Sequence, residues 1–234
     1  PSAYFHTQLY TGNATARSIT NDANAGDFKP DWVWIKVRNN ANNHRLFDSS
    51  RGATKDLISN STSAESTDAT RLTSFNTNGF SIGTNAEVNS NTHNIVAWQW
   101  KANGGTTTTN DASATGIGTI DSVYQANTTA GFSIVTYTGT TSAGSIAHGL
   151  GAVPKMIIVK NIQDGAENWA VQSPTASDPW TDYMWLDLPN ALDDNAGLWN
   201  DTAPTSTVFT IGTSGVVSQA ENHVAYCFAE KQGY

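Results

Sequence analysis

The chain carries one pattern twice, which limits it to folds that two copies of a unit of about 100 residues can build. Phe5 is followed by Tyr10-Thr11-Gly12, and Phe132 by Tyr137-Thr138-Gly139. Each half then has a Pro opening an apolar run that ends in Lys, KPDWVWIK at 29–36 and VPKMIIVK at 153–160. FSIG at 80–83 returns as FTIG at 209–212, and Val96-Ala97-Trp98 as Val224-Ala225-Tyr226. The offset drifts from 124 residues at the lysines (Lys36, Lys160) to 129 at the glycines (Gly83, Gly212), as loop insertions in two copies would produce.

Between turn clusters of Gly, Asn, Asp, Ser and Pro, the apolar stretches are short and rich in Val, Ile, Thr and aromatic residues, the signature of strands. Strands are expected at 4–10, 32–37, 45–48, 72–75, 79–82 and 95–101 in the first copy. In the second they are expected at 132–137, 155–161, 169–172, 183–188, 208–211 and 223–230. The stretch 54–72 has no sustained apolar face and reads as loop or at most a turn or two. The expected fold is all-β, two tandem antiparallel β-sandwich domains of jelly-roll-like kind. Their boundaries are 1–103 and 130–234, joined by a Gly/Thr-rich linker at 104–129.

Only 14% of residues are charged, against about 25% in ordinary soluble domains. With a net charge of −8, neither nucleic acid nor insertion into a membrane is expected, since polyanions and anionic lipids are bound chiefly through Lys and Arg. The sequence has no charged n-region followed by an apolar stretch and no apolar run of membrane-spanning length, so synthesis and residence without a signal peptide are expected. Cys227 is the single cysteine; it excludes an internal disulfide and reads as an inert core thiol within VAYCFA.

Eight tryptophans invite a carbohydrate-stacking platform. The repeat aligns Trp32 and Trp34 with Met156 and Ile158, and Trp98 and Trp100 with Tyr226 and Phe228, so these four are expected in the core. Trp169, Trp180, Trp185 and Trp199 have no aromatic counterpart. In YMWLDL at 183–188, alternation puts Met184, Leu186 and Leu188 on one face and Tyr183, Trp185 and Asp187 on the other. Trp180, Tyr183, Trp185, Asp187 and Trp169 therefore form the candidate ligand or interface patch, with rings to stack on a sugar and a carboxylate to take its hydroxyls.

No catalytic residues are identified, because no carboxylate pair or nucleophile has motif spacing. The five histidines lack metal-ligand spacing, so neither a metal nor a cofactor is expected. HGLG at 148–151 precedes a strand and not a helix, so it reads as a structural turn, with His148 bonding loop backbone.

The string Phe-x-Pro-Asp-x-Val-Trp-Ile-Lys at 28–36, followed by His-x-Leu-Phe-Asp-Ser-x-Arg-Gly at 44–52, resembles virion proteins of tailed phages, particularly marine ones. The second copy is similar to their companion pattern in GFSIVTYTG at 131–139, HGLG, IIVKN at 157–161, LWNDTAPTSTVFTIG at 198–212 and VAYCFAEKQGY at 224–234. The resemblance covers all but the linker and carries over no catalytic residue. It implies a non-enzymatic component of the virion surface, a fibre, tail appendage or capsid decoration. It also implies self-association, three-fold by analogy with phage fibres, contacts with other virion proteins, and host surface glycans as ligands. A stand-alone carbohydrate-binding module is the alternative, and an extracellular filament subunit a further one.

Overall fold

A computed structural model describes residues 2–23, 27–172 and 180–232. The chain is all-β and divides into two compact units, one of residues 1–60 and 65–105, the other of 61–64 and 106–234. In the first unit the order is β1 (Phe5–Thr11), β2 (Arg17–Ile19), β3 (Trp32–Val37), β4 (Arg45–Asp48), β5 (Lys55–Ile58), β6 (Ser66–Thr67), β7 (Leu72–Asn76), β8 (Gly79–Ile82), the one-turn helix α1 (Ala86–Asn89) and β9 (Asn94–Trp100). The second unit begins with β10 (Thr108–Asn110), α2 (Ala112–Thr115), β11 (Ser122–Asn127), β12 (Phe132–Thr138), β13 (Gly144–Ala147), β14 (Pro154–Asn161) and β15 (Ala170–Gln172). It ends with β16 (Asp182–Trp185), β17 (Asp193–Asp194), α3 (Ala196–Trp199), β18 (Val208–Ile211), α4 (Gly215–Ser218) and β19 (Asn222–Ala229).

The sheets reproduce the repeat. A large sheet ordered β1-β9-β3-β4-β5-β6 faces a small one ordered β2-β8-β7, and in the second unit β12-β19-β14-β15-β16-β17 faces β13-β18. The named ladders are antiparallel, including β3 against β9 and β14 against β19. Alternation turns Val33, Ile35, Val37, Ile95 and Ala97 of the large sheet onto Ile19, Leu72, Phe80 and Ile82 of the small one, giving the first core. The second is built from Val135, Ile157, Val159, Ala225 and Cys227 against Ile146, Phe209 and Ile211, with Trp199 added from α3.

The conserved spelling of the two copies has a shared physical cause. Tyr10 donates its hydroxyl to the Val88 carbonyl of α1 at 2.8 Å, and Tyr137 donates to the Val217 carbonyl of α4 at 2.8 Å. Two residues on, Gly12 and Gly139 run against the ends of those same helices. A Cβ there would stand 1.9 Å from the Ser90 carbonyl oxygen and 2.1 Å from that of Gln219. The lysines ending the apolar runs are turn clamps. Lys36 Nζ donates to the carbonyls of Val37 and Asn40 at 2.5 and 3.0 Å, and Lys160 Nζ to those of Asn161 and Glu167 at 2.7 and 2.9 Å.

Three expectations are corrected. The supposed linker at 104–129 is largely ordered: β11 pairs along its whole length with β12, β10 pairs with β11, and Asp111 caps α2 by accepting from Ala114 N. Its Thr and Ser residues conceal a strand because polar β-formers at a sheet edge need no apolar alternation. The stretch read as loop after 54 contains β5, whose Asp56 is buried among cations and so breaks the apolar pattern. The strand expected at 183–188 ends at Trp185.

Gly139→Ala is expected to lower stability by about 1–3 kcal/mol, and Tyr137→Phe by about 1 kcal/mol, because the first drives a Cβ into a backbone oxygen and the second leaves a buried acceptor unmet. Thermal melts of the two variants beside Gly151→Ala, where a Cβ meets no atom within 4 Å, separate contact from the positive-φ strain that only Gly151 bears.

Candidate functional site

Of the predicted patch, the structure keeps pairs together but not an open face. Trp169 is wholly buried, its indole N–H donating to the Ser61 carbonyl at 3.1 Å. Asp187 accepts from the Trp169 backbone N–H at 3.0 Å, so its carboxylate serves as a local cap. Tyr183 and Trp185 meet edge to face at 4.8 Å and pack against the second core. The alternation is thus reversed: Tyr183 and Trp185 point inward, while Leu188 is exposed. Trp180 is half-buried at a φ of 82°, with its carbonyl accepting from Gln172 Nε2 at 3.2 Å. The pattern misled because aromatic and aliphatic residues alternate here, and periodicity cannot say which set is the core.

The first-copy tryptophans require the opposite correction. Trp32 is buried as expected, but Trp34, Trp98 and Trp100 are only partly so. Since Val33, Ile35 and Ala97 take the core face of β3 and β9, these indoles stand on the other face of the sheet. Trp34, Trp98, Trp100 and His44 line a cleft of about 300 Å³. Trp34 meets Trp98 at 6.2 Å and His44 at 5.8 Å, both edge to face, and Trp100 meets Trp32 at 4.4 Å with the ring planes tilted by 36°. The Trp34 indole donates to His44 Nδ1 at 2.8 Å, which leaves the ring proton of a neutral His44 on Nε2. Burial and the charge on Lys36 hold the His44 pKa below the ordinary imidazole value. On the second unit, Lys155, Met156, Phe228, Ala229 and Glu230 line a cleft of about 430 Å³ on the corresponding strands.

Several carboxylates and guanidinium groups of the first unit are bound to one another. Arg45 pairs with Asp56 at 2.5 Å and with Glu87, and Arg71 joins the same two carboxylates. Asp48 holds Arg51 Nε at 2.6 Å, and Arg51 reaches Glu65 at 2.9 Å. Asp31 accepts from Ser49 Oγ at 2.7 Å and from the backbone N–H groups of Ala102 and Gly104 at 2.8 and 2.7 Å. Burial pushes the Asp31 carboxyl up, against those hydrogen bonds and Lys29. Among the described residues, no group of three His, Cys, Asp or Glu side chains is placed to hold a metal.

In the second unit, the HGLG turn behaves as its glycines suggest, with Gly149 and Gly151 at φ 71° and 65°. His148 Nδ1 accepts from Leu150 N–H and Nε2 donates to the Thr205 carbonyl, each at 3.2 Å. Burial pushes His148 down to about 4 and the Cys227 thiol up to about 12. A thiol so deep in the core stays protonated and unreactive. Burial also pulls Lys160 down to about 8, with Asp187, Glu167 and Asp164 opposing the fall.

A family described as "Domain of unknown function (DUF7483)" matches residues 1–234, so the chain belongs to that family. No curated protein and no solved structure matches it.

Asp56→Asn is expected to cost about 3–5 kcal/mol by stripping a charge from two guanidinium groups, read as a fall in the urea midpoint at unchanged slope. His148 sets a pH dependence. Its folded pKa lies below the unfolded value, so the stabilisation is complete above about pH 6.5 and is lost as pH falls toward 4, a change of about 3 kcal/mol. Urea titrations across that window are expected to show the loss in the native chain and a flatter profile in His148→Gln.

Proposed function

We propose that this member of the DUF7483 family is a non-enzymatic structural protein of a tailed-phage virion surface, a fibre, appendage or capsid decoration. The observation that supports it most directly is how the shared signature is spent. In the strings at 28–36 and 44–52, Phe28 and Phe47 are buried, Asp31 binds Ser49 and two backbone amides, and Lys36 clamps its own turn. His44 accepts from Trp34, Asp48 binds Arg51, and Gly52 takes a φ of 115°. Each of these groups does internal work. A signature kept for chemistry leaves its acid, base or nucleophile facing a substrate. This one stabilises a β-scaffold whose surface is polar and weakly charged, as a persistent particle component requires.

A carbohydrate-binding role is the second reading, and the cleft of Trp34, Trp98 and Trp100 favours it. Indole faces stack on the apolar faces of sugars. On this reading Trp98→Ala abolishes retention on a glycan array without moving the melting temperature, while Trp185→Ala, which disturbs the core, lowers the melting temperature.

The main proposal is tested by quantitative mass spectrometry of purified phage particles that encode the chain, with the major capsid protein as reference. Copies in the hundreds are expected for a capsid decoration and a few tens or fewer for a tail or vertex appendage. Absence from the particle overturns the proposal and moves the carbohydrate-binding reading forward.

A further inference from the structure

The two units differ at one edge of the large sheet. In the second, β12 is flanked on one side by β19 and on the other by β11, which pairs with it from Asn127 opposite Phe132 to Ser122 opposite Tyr137. In the first, the equivalent strand β1 pairs with β9 from Phe5 opposite Trp100 to Thr11 opposite Asn94 and ends the sheet. Lys101 N–H donates to the Tyr4 carbonyl at one end of that ladder and Gly12 N–H to the His93 carbonyl at the other. The alternation between these two bonds turns the N–H and C=O groups of Phe5, Thr7, Leu9 and Thr11 away from β9, toward the open edge.

Sheet edges are normally blunted by shortness, charge, proline or a bulge. The other edges among the described residues are shorter, and β13 and β18, both edges of their two-stranded sheet, have four residues each. β6 and β17 have two residues each, β17 being Asp193 and Asp194, and β10 has three. β2 is three residues long and includes Arg17, and the five-residue β7 is interrupted by a register shift. β1 has seven residues, FHTQLYT, with no Pro, Lys, Arg, Asp or Glu and no break in register. Leu9, next to its centre, is 55% exposed, the most exposed large hydrophobic residue described.

We infer that β1 is a self-pairing edge, joined antiparallel to β1 of a second copy of this chain across a two-fold axis. The sister unit supplies the precedent, since its equivalent edge already holds an antiparallel strand. A second copy is the favoured occupant because the strand has no charge that would call for a complementary partner or repel its own image. Two of the edge-facing acceptors already have one partner each. Gln8 Nε2 donates to the Leu9 carbonyl at 2.9 Å, and the Arg17 guanidinium binds the Thr11 carbonyl, whereas Phe5 and Thr7 have donor and acceptor both turned to the edge. Centring the pair on Thr7 sets the two Thr7 residues opposite each other and Phe5 opposite Leu9 of the second copy, covering the exposed leucine. Two short strands bury well under about 1,000 Å², so the contact is reversible by itself and strengthens where neighbouring copies are held close. The inference goes beyond the function proposed above and does not rest on it, so it holds or fails independently of particle composition.

Sedimentation velocity from about 1 to 500 µM spans the weak range such an interface occupies. The native chain is expected to shift from monomer to dimer, while Leu9→Lys and Thr7→Pro remain monomeric with unchanged melting temperatures. Thr7 faces the edge, where proline removes a donor without breaking the β9 ladder. Hydrogen exchange gives the independent readout. The Thr7 and Leu9 amides gain protection with concentration, while those of His6 and Gln8 are protected throughout. A native chain monomeric at 500 µM, a Leu9→Lys chain that still dimerises, or dimers whose Thr7 and Leu9 amides exchange as in the monomer each overturn the inference. If Thr7→Pro fails to fold, Leu9→Lys and the exchange pattern decide.

Discussion

The bond from a strand tyrosine to a helical carbonyl, made once per unit, is the constraint on which each sandwich depends. Tyr10 and Val88 lie 78 residues apart and Tyr137 and Val217 lie 80 apart, so each bond closes nearly a whole unit. It is made in a buried setting, where a phenol without an acceptor is costly. It also fixes how close the strand comes to the helix end, and only glycine two residues later fits that approach. A tyrosine, a glycine and a one-turn helix therefore had to be retained together. The rest of each sandwich could drift around them, as the exchange of Trp32 for Met156 and Trp98 for Tyr226 illustrates.

Much of this was legible in the sequence, and the failures have definite physical causes. The strands that are apolar on both faces, β3, β9, β14 and β19, declare themselves as apolar runs and lie within a residue or so of their expected ends. Those resting on polar interactions do not: β5 carries the buried Asp56, β11 lies between β10 and β12 with Ser122 and Gln125 buried, and β13 contains Gly144 and Ser145. The tryptophans were misassigned for a different reason. When both faces of a strand are apolar, size alone does not tell which residue meets the opposing sheet, and the aliphatic residues Val33, Ile35 and Ala97 took that place. Around Trp185 the same ambiguity ran the other way. The direction was set there by pairing with Ala170, a long-range contact that local alternation does not contain.

The polar chemistry is distributed unevenly between the two units. The first joins Arg45, Asp56, Arg71 and Glu87 in a tightly bonded cluster, beside a second one of Asp48, Arg51, Glu65 and Lys55. The second places Trp169 and Trp199 in its interior, both fully buried. Removing one partner from a buried ionic cluster is severe, whereas an apolar core yields gradually to substitution. Two halves descended from one pattern thus resist mutation in different ways, and sequence divergence is expected to be slower at the ionic positions.

The position of the last strand bears on how the protein is made. In the first unit β9 is the final strand synthesised, yet it lies between β1 and β3, and in the second β19 is final and lies between β12 and β14. Neither large sheet can assemble by adding strands outward as the chain emerges; each must wait for a keystone inserted at its centre. Until Trp100 has left the ribosome, β1 has no partner on either side, and at ordinary rates of synthesis that interval lasts on the order of 5–20 s. β1 therefore spends its first moments unpaired, while β3, β12 and β14, which have β4, β11 and β15 on one side, wait with the other side open. A nascent chain that loses the eight residues of β19 loses the middle of a sheet and not its margin.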